Sequence, residues 1–365
     1  MRPSWIEVDL EAVRHNVSTL TDLVAPSQMC AVVKADGYGH GDVPVATAAI
    51  ESGATWLAVA LVEEGVRLRE AGITAPILLL SEPPNADAPD VIEWNLTPTV
   101  YTAGFCDALA GATTEPIAVH LKVDTGMHRV GTSPQDALAL ARHVDAKPGL
   151  DLAAVWTHLA VAEEDAEYTM RQVASIRGFM AAAGGEGLDI PMLHIANTAG
   201  AMGSSEARAD MVRCGIGIYG LHPAPGFHPE IPLRPAMRVV SQVSLVRRLR
   251  AGTRASYGRR REMPADGWVA TVPVGYADGV ARRLGDVGGE VLIGGKRRPL
   301  AGTVTMDQIV VDCGDDPVEI GDEVVLIGRQ GDEEITADDW ARWLGTINYE
   351  IVCDFGPRMP RRFQG

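Results

Sequence analysis

The segment IAVHLKVDTGMHRVGTSPQDALALARHVDAKPGLDLAAVW (Ile117–Trp156) decides the architecture. Its first run, Ile117–Val123, reads as a strand. A helical pattern follows over Pro134–Val144, and a second strand, Leu150–Trp156, closes the unit. Strands that are largely apolar throughout, without alternation, suit a parallel sheet covered on both faces. The same unit recurs outward in both directions. Upstream strands are expected at Met29–Val33, Trp56–Ala60, Ile77–Leu80 and Leu96–Thr99, with helices such as Val43–Glu51 and Val62–Ala71 between them. Downstream lie a helix over Ala166–Ala183 and strands at Met192–Ile195 and Met211–Cys214. Eight strands joined by helices point to a TIM-type (β/α)8 barrel, with an open doubly wound sheet as the alternative.

The character changes near the proline-rich stretch Pro223–Pro235. Beyond it, β-rich segments run over Met237–Leu249, Trp268–Pro273, Val291–Ile293, Ile309–Asp312 and Glu323–Ile327, with one helix near Thr336–Leu344. These predict a C-terminal, mainly antiparallel β domain. The expected division is a barrel over residues 10–232 and a β domain over 233–365, joined by the alternating opening strand within residues 1–9.

Composition narrows the function. The 365 residues suffice for two domains, and 46% hydrophobic with 22% charged residues is an ordinary globular balance. A net charge of −16 disfavours nucleic acid and anionic membrane as partners. No run of about eighteen apolar residues exists, so no transmembrane helix is expected. Glu7, Asp9 and Glu11 stand where a signal peptide would need an apolar stretch. Five scattered cysteines without a CxxC pair argue against a disulfide framework or a metal site and suit the cytoplasm.

Two motifs point elsewhere and fail on context. Asp124-Thr125-Gly126 is the aspartic-protease triplet, but that chemistry shares a proton between two aspartates and only one copy is present. Gly215–Gly220 matches G-x-G-x-x-G, yet Leu221-His222-Pro223-Ala224-Pro225 cannot open the long helix that a dinucleotide needs. A glycine-rich loop after an eighth barrel strand has another use, because loops there often bind phosphate through backbone N–H groups.

Polar residues converge on the same end of the expected barrel. Lys34, in AVVKADGYGHG (Ala31–Gly41), follows the first strand. Partial desolvation there lowers an amine's pKa and favours a nucleophilic or Schiff-base role. Arg129 follows strand five, His158 strand six, and Asn197 and Thr198 strand seven; Arg213 ends strand eight. Barrel enzymes build their sites at these C-terminal strand ends.

At these residues the chain resembles the alanine racemases, pyridoxal-phosphate (PLP) enzymes with a barrel and a C-terminal β domain. The matching segments span the chain: Ala31–Gly41, Lys122–Gly131, Thr157–Ala160, His194–Gly200, Arg213–Gly220, Ala255–Gly258, Val274–Arg282, Gly302–Gln308 and Asn348–Arg358. The resemblance implies that Lys34 carries PLP covalently and that Tyr38, Thr198, Gly215, Ile216 and Tyr349 hold its phosphate. Asn197 joins the cofactor-binding set. It sets Arg213 against the pyridine nitrogen and Arg129 against the ring's phenolic oxygen and the substrate. His158 would support Arg213 and the catalytic tyrosine. Tyr257 would be the second base, supplied across a head-to-tail homodimer, so that each site is composite. Met306 would place the substrate carboxylate, with Glu163, Tyr276 and Arg282 lining the entrance. Lys122 would be carbamylated, or an anion would occupy the same space.

The chain departs from the family pattern at Thr198 (commonly serine), Glu163 (aspartate), Thr305 (cysteine) and His128 (glycine); no catalytic group is lost. The implied activity is interconversion of L- and D-alanine, which supplies D-alanine for peptidoglycan. Two bases on opposite faces of Cα invert it without either one moving around the plane. Three other readings compete. A barrel-type PLP decarboxylase would place a carboxylate where Arg213 stands, a non-catalytic PLP carrier would lack Tyr257, and a racemase of broader specificity would also accept serine.

Overall fold

A computed structural model describes residues 2–365. They form two compact units. One comprises Glu11–Gly37 and Asp42–Pro235; the other comprises the chain up to Leu10, Tyr38–Gly41 and Ala236–Gly365.

Strand β1 (Ser4–Asp9) belongs to the second unit. The first is built on β2 (Gln28–Val32), β3 (Trp56–Val59), β4 (Ile77–Leu79), β5 (Thr99–Val100), β6 (Ile117–Lys122), β7 (Leu150–Trp156), β8 (Met192–His194) and β9 (Met211–Cys214). These lie in the order β4-β3-β2-β9-β8-β7-β6-β5, and every neighbouring pair is parallel. A parallel bridge from Leu78 to Thr97 joins the two outer strands and closes the ring. The chain therefore adopts the (β/α)8 barrel and not the open sheet. Expected strand Leu96–Thr99 shifts to Thr99–Val100 because Pro98 has no N–H to give the ladder.

The helices follow from capping and spacing. In Pro134–Asp145, Ala137, Leu140, Ala141 and Val144 are buried at helical spacing. Ser133 Oγ accepts from Asp136 N at 3.1 Å, a cap worth about 1 kcal/mol.

The second unit holds β10 (Met237–Gln242), β11 (Leu245–Leu249), β12 (Gly267–Val272), β13 (Glu290–Ile293), β14 (Lys296–Pro299), β15 (Ile309–Gly314), β16 (Glu323–Gln330), β17 (Glu333–Ile335) and β18 (Arg361–Gln364). One sheet runs β14-β13-β16-β10-β1-β18 with β17 on β16; the other runs β11-β12-β15. Pairing is antiparallel except for β1 with β18. The β-rich segment Met237–Leu249 holds two strands, in separate sheets. The reason is local: Val243 N donates to Asp322 O, whereas the next amide, Ser244 N, donates to Thr271 O.

Barrel register aligns the chemistry. Lys122 pairs with Trp156 across β6 and β7, Trp156 pairs with His194 across β7 and β8, and Arg213 pairs with Cys30 across β9 and β2. All of these side chains are buried.

Candidate active site

Lys34 stands two residues beyond the end of β2, half-buried. The chain after it turns with the wrong hand. Ala35, Asp36, Gly37 and Tyr38 have φ of 54°, 53°, 59° and 51°. Three of these are not glycine, and each such residue costs on the order of 1–3 kcal/mol unless its surroundings impose the conformation. Glu64 is one of those surroundings. Its Oε1 accepts from Ala35 N at 2.6 Å, and its Oε2 accepts from Ala60 N at 2.8 Å and Leu61 N at 3.1 Å.

Arg213 is 2% exposed and has no carboxylate partner among the described residues. Nη2 donates to Thr157 O at 2.7 Å and Ile195 O at 3.0 Å, and Nη1 donates to His194 Nδ1 at 3.0 Å. Burial lowers its pKa to about 10, so it stays charged at neutral pH. Burial first, and the Arg213 charge second, hold the His194 pKa well below its usual value, so His194 is neutral. Guanidinium only donates, so His194 Nδ1 accepts and the ring proton sits on Nε2. That proton is then given to His120 Nδ1 at 3.1 Å. His120 is neutral as well, its pKa pushed down to about 3 by burial and then by Arg213. Chemistry alone thus orders every proton from Arg213 to His120.

A variant pair checks this order. His194→Phe keeps a ring against Trp156, which stacks on His194 at 5.5 Å and 11°. It leaves Arg213 Nη1 and His120 Nδ1 unpaired, and is expected to cost about 1–3 kcal/mol in urea unfolding. His194→Gln keeps an acceptor and a donor and should lose less.

His158 reaches Arg213 Nη2 through Nδ1 at 3.5 Å, the long end of a hydrogen bond. Burial, then Arg213, lowers its pKa well below the ordinary value. At this pair the positive charge therefore sits on Arg213, and His158 is a neutral ring.

Lys122 is 4% exposed. Its Nζ donates to Leu80 O at 3.3 Å and lies 4.0 Å from the Trp156 ring centroid. The Arg213 guanidinium lies 4.5 Å from the same centroid. One indole thus meets two buried basic groups, a contact worth about 2 kcal/mol for one that keeps its charge when desolvated. Burial first, then the charges of Arg213, Arg129 and Lys34, lowers the Lys122 pKa to about 7. Lys34, Arg129 and Arg213 are therefore all close enough to feel Lys122.

After β9, Gly215 N donates to Thr198 Oγ1 at 3.0 Å, and Ile216–Tyr219 is a single 3-10 turn. Gly220 ends it at φ 82°, where a Cβ would lie 1.8 Å from Arg234 O. No long helix follows, so the dinucleotide reading of the glycine motif fails on structure too. Thr198 opens the helix Thr198–Gly203, whose cap Asn197 accepts from Gly200 N at 2.9 Å. The protease triplet is a loop device. Asp124 Oδ1 accepts from Gly126 N and His128 N, both at 3.0 Å. Burial works to raise the Asp124 pKa, but these amides outweigh it and hold it low.

The other expected residues divide by unit. Arg129 is exposed and Glu163 half-buried on barrel loops. Tyr38 and Tyr349 meet in the β unit, their rings 6.3 Å apart. The β unit also carries Tyr257 on a turn, 70% exposed, with Met306 and Tyr276 exposed and Arg282 at the surface. Ala277 N donates to Met306 O at 3.1 Å and Tyr276 N to Thr305 O at 2.9 Å, which ties the Met306 loop to the Tyr276 turn. Sequence reasoning gave no role to Glu64, His120, Trp156 or His194. Alternation along β6 puts His120 and Lys122 on one face and was a usable signal; Glu64, on a helix, offered none.

Known proteins share this architecture. The family profile for the alanine racemase N-terminal domain matches residues 8–223, and that for the C-terminal domain matches residues 236–363. An alanine racemase of Symbiobacterium thermophilum is 47% identical over 100% of this chain and 98% of its own length. One from Nostoc is 42% identical over 98% and 95%. The crystal structure of alanine racemase from D-cycloserine-producing Streptomyces lavendulae superposes with a TM-score of 0.95 at 38% identity, covering 100% and 98%. That of Bacillus anthracis with bound L-Ala-P gives 0.94 at 37%, covering 100% and 96%. With profiles matched across both halves and relatives matched end to end, the chain belongs to the alanine racemase family.

Proposed function

We propose that this chain is a PLP-dependent isomerase that interconverts L- and D-alanine at a site opened by Lys34 and completed by Tyr257 of a second copy. The observation that carries the cofactor reading is the donor set: two basic groups, Lys34 and Arg213, around one barrel mouth, with Arg213 lacking a carboxylate partner among the described residues. Such a site suits an anionic, phosphate-bearing ring, and the Thr198 hydroxyl against the Gly215 loop suits the phosphate.

When bound, PLP withdraws electrons from the amino acid and acidifies its Cα–H. The chain's residues do the rest. Lys34 Nζ takes or returns the proton on one face of Cα, and the partner's tyrosine oxygen does so on the other. Arg213, fixed by four acceptors, would face the ring nitrogen and has no proton to release to it. Arg129 and the Met306 loop would orient the substrate; Tyr38, Ile216 and Tyr349 would hold the phosphate; Asn197 caps the helix that presents Thr198. Glu163, Tyr276 and Arg282 border the entrance. The barrel is the PLP-binding domain, residues 10–232, and the β domain supplies the second base in a head-to-tail homodimer. Cysteines outside any disulfide, four of the five buried, suit a cytoplasmic setting, where the product would supply peptidoglycan.

Lys122 is the carbamylation site in this reading. A pKa of about 7 leaves much of the amine neutral near neutrality. The neutral nitrogen adds to carbon dioxide and sheds one proton, giving a carbamate whose negative charge meets Arg129. Incubation with isotope-labelled bicarbonate should give a carbamate carbon signal that is absent in Lys122→Met. A signal that survives this substitution sinks the assignment.

The deciding experiment is a coupled D-alanine assay on the PLP-loaded chain, with L-serine run in parallel. Turnover of L-alanine to D-alanine is expected; carbon dioxide release instead would favour the decarboxylase. Arg213 argues against that enzyme, since it stands where a decarboxylase needs a carboxylate.

A further inference from the structure

We infer that Glu64 is the positioning residue that sets where the Lys34 amine stands, which rests on Lys34 being the cofactor lysine. The left-handed run Ala35–Tyr38 carries a backbone bond from Gly37 N to Val33 O at 3.0 Å. The helix Val62–Glu70 holds it directly at one point and, through Asp42, indirectly at another. Glu64 is 8% exposed and spans three backbone amides, one on the Lys34 turn and two at the end of β3. It therefore ties the Lys34 turn to the neighbouring barrel strand. From the same helix, Arg67 pairs with the Asp42 carboxylate, with Nε to Oδ2 at 2.6 Å. Asp42 N in turn donates to Asp36 Oδ1 at 3.3 Å. The first grip closes on Ala35, next to Lys34; the second reaches Asp36, two positions from Lys34, only through Asp42. A carboxylate is required at the first grip, because all three partners donate and each oxygen must accept.

Glu64→Gln tests this. Either amide orientation turns an NH2 toward at least one backbone N–H. In the PLP-loaded enzyme, hydrogen exchange of the peptide covering Lys34–Gly39 should quicken about tenfold or more, with β7 peptides unchanged. The kcat should fall about tenfold to a hundredfold with KM little changed, the signature of a displaced base. Glu64→Asp, which keeps the charge but not the reach, should fall between. Glu63→Gln, exposed on the same helix, should match wild type. If Glu64→Gln does not fold, Arg67→Gln is read instead, since Arg67 is half-exposed and should give a smaller rise in the same peptide. Unchanged exchange at Lys34–Gly39, or a rise spread evenly over the barrel, overturns the inference. Borohydride reduction and peptide mapping of the wild type separately tests the lysine itself. An adduct elsewhere would sink the Lys34 reading while the exchange result still reports on Glu64.

Discussion

Lys34→Ala is expected to abolish racemisation in both directions, by roughly a thousandfold or more, since a positioned base alone is worth about 10²–10⁴. The loss has two parts. The variant forfeits the covalent hold on the cofactor and the proton carrier on one face of Cα. Removal of one base in a two-base inversion must slow both directions alike, because the overall equilibrium is fixed. The check is the coupled assay in each direction, together with borohydride fixation of PLP. Label retained on another lysine would show that Lys34 is not the attachment point. The fold should survive, because Glu64 holds the left-handed turn through a backbone amide that the substitution leaves in place.

Tyr257→Phe should lower racemisation by a similar factor while leaving half of the chemistry intact. The hydroxyl goes and the ring stays, so packing around an exposed turn should hardly change. Lys34 should still exchange the Cα proton of one enantiomer with deuterated solvent, whereas the other enantiomer should not exchange. The asymmetry thus appears in exchange without inversion. Mixing Lys34→Ala and Tyr257→Phe subunits tests the composite site. A heterodimer carries one site with both lesions and one with neither, so activity should partly return after mixing and refolding. No return from demonstrated heterodimers would place Tyr257 in its own chain's site, or in none.

The barrel was legible because its strands are apolar on both faces and helices of regular spacing separate them. The polar strand ends were legible by position alone, since topology puts Lys34, Arg129, His158 and Arg213 at one mouth. The break at Val243-Ser244 was not, because it depends on which distant carbonyl each amide meets, whereas the Pro98 shift has a cause, the missing N–H, that the sequence does show. Glu64 was hidden for a related reason. It looks like a first-turn helix acid, and only the fold reveals that its oxygens serve backbone from two other segments. The neutral state of His158 was hidden too, since it follows from burial and from Arg213 beside it.

The ordered chain through Arg213, His194 and His120 occupies space that most barrels of this kind fill with branched aliphatic side chains. A designer seeking a hardier scaffold would be drawn to that interior. Replacing the charged and imidazole side chains together with leucine or isoleucine removes the desolvation penalty of buried ions and can raise stability. The outcome would be a sturdier shell with nothing to grip an anionic ring. The barrel therefore sits on the trade-off between robustness and activity, with its weak point built into its centre.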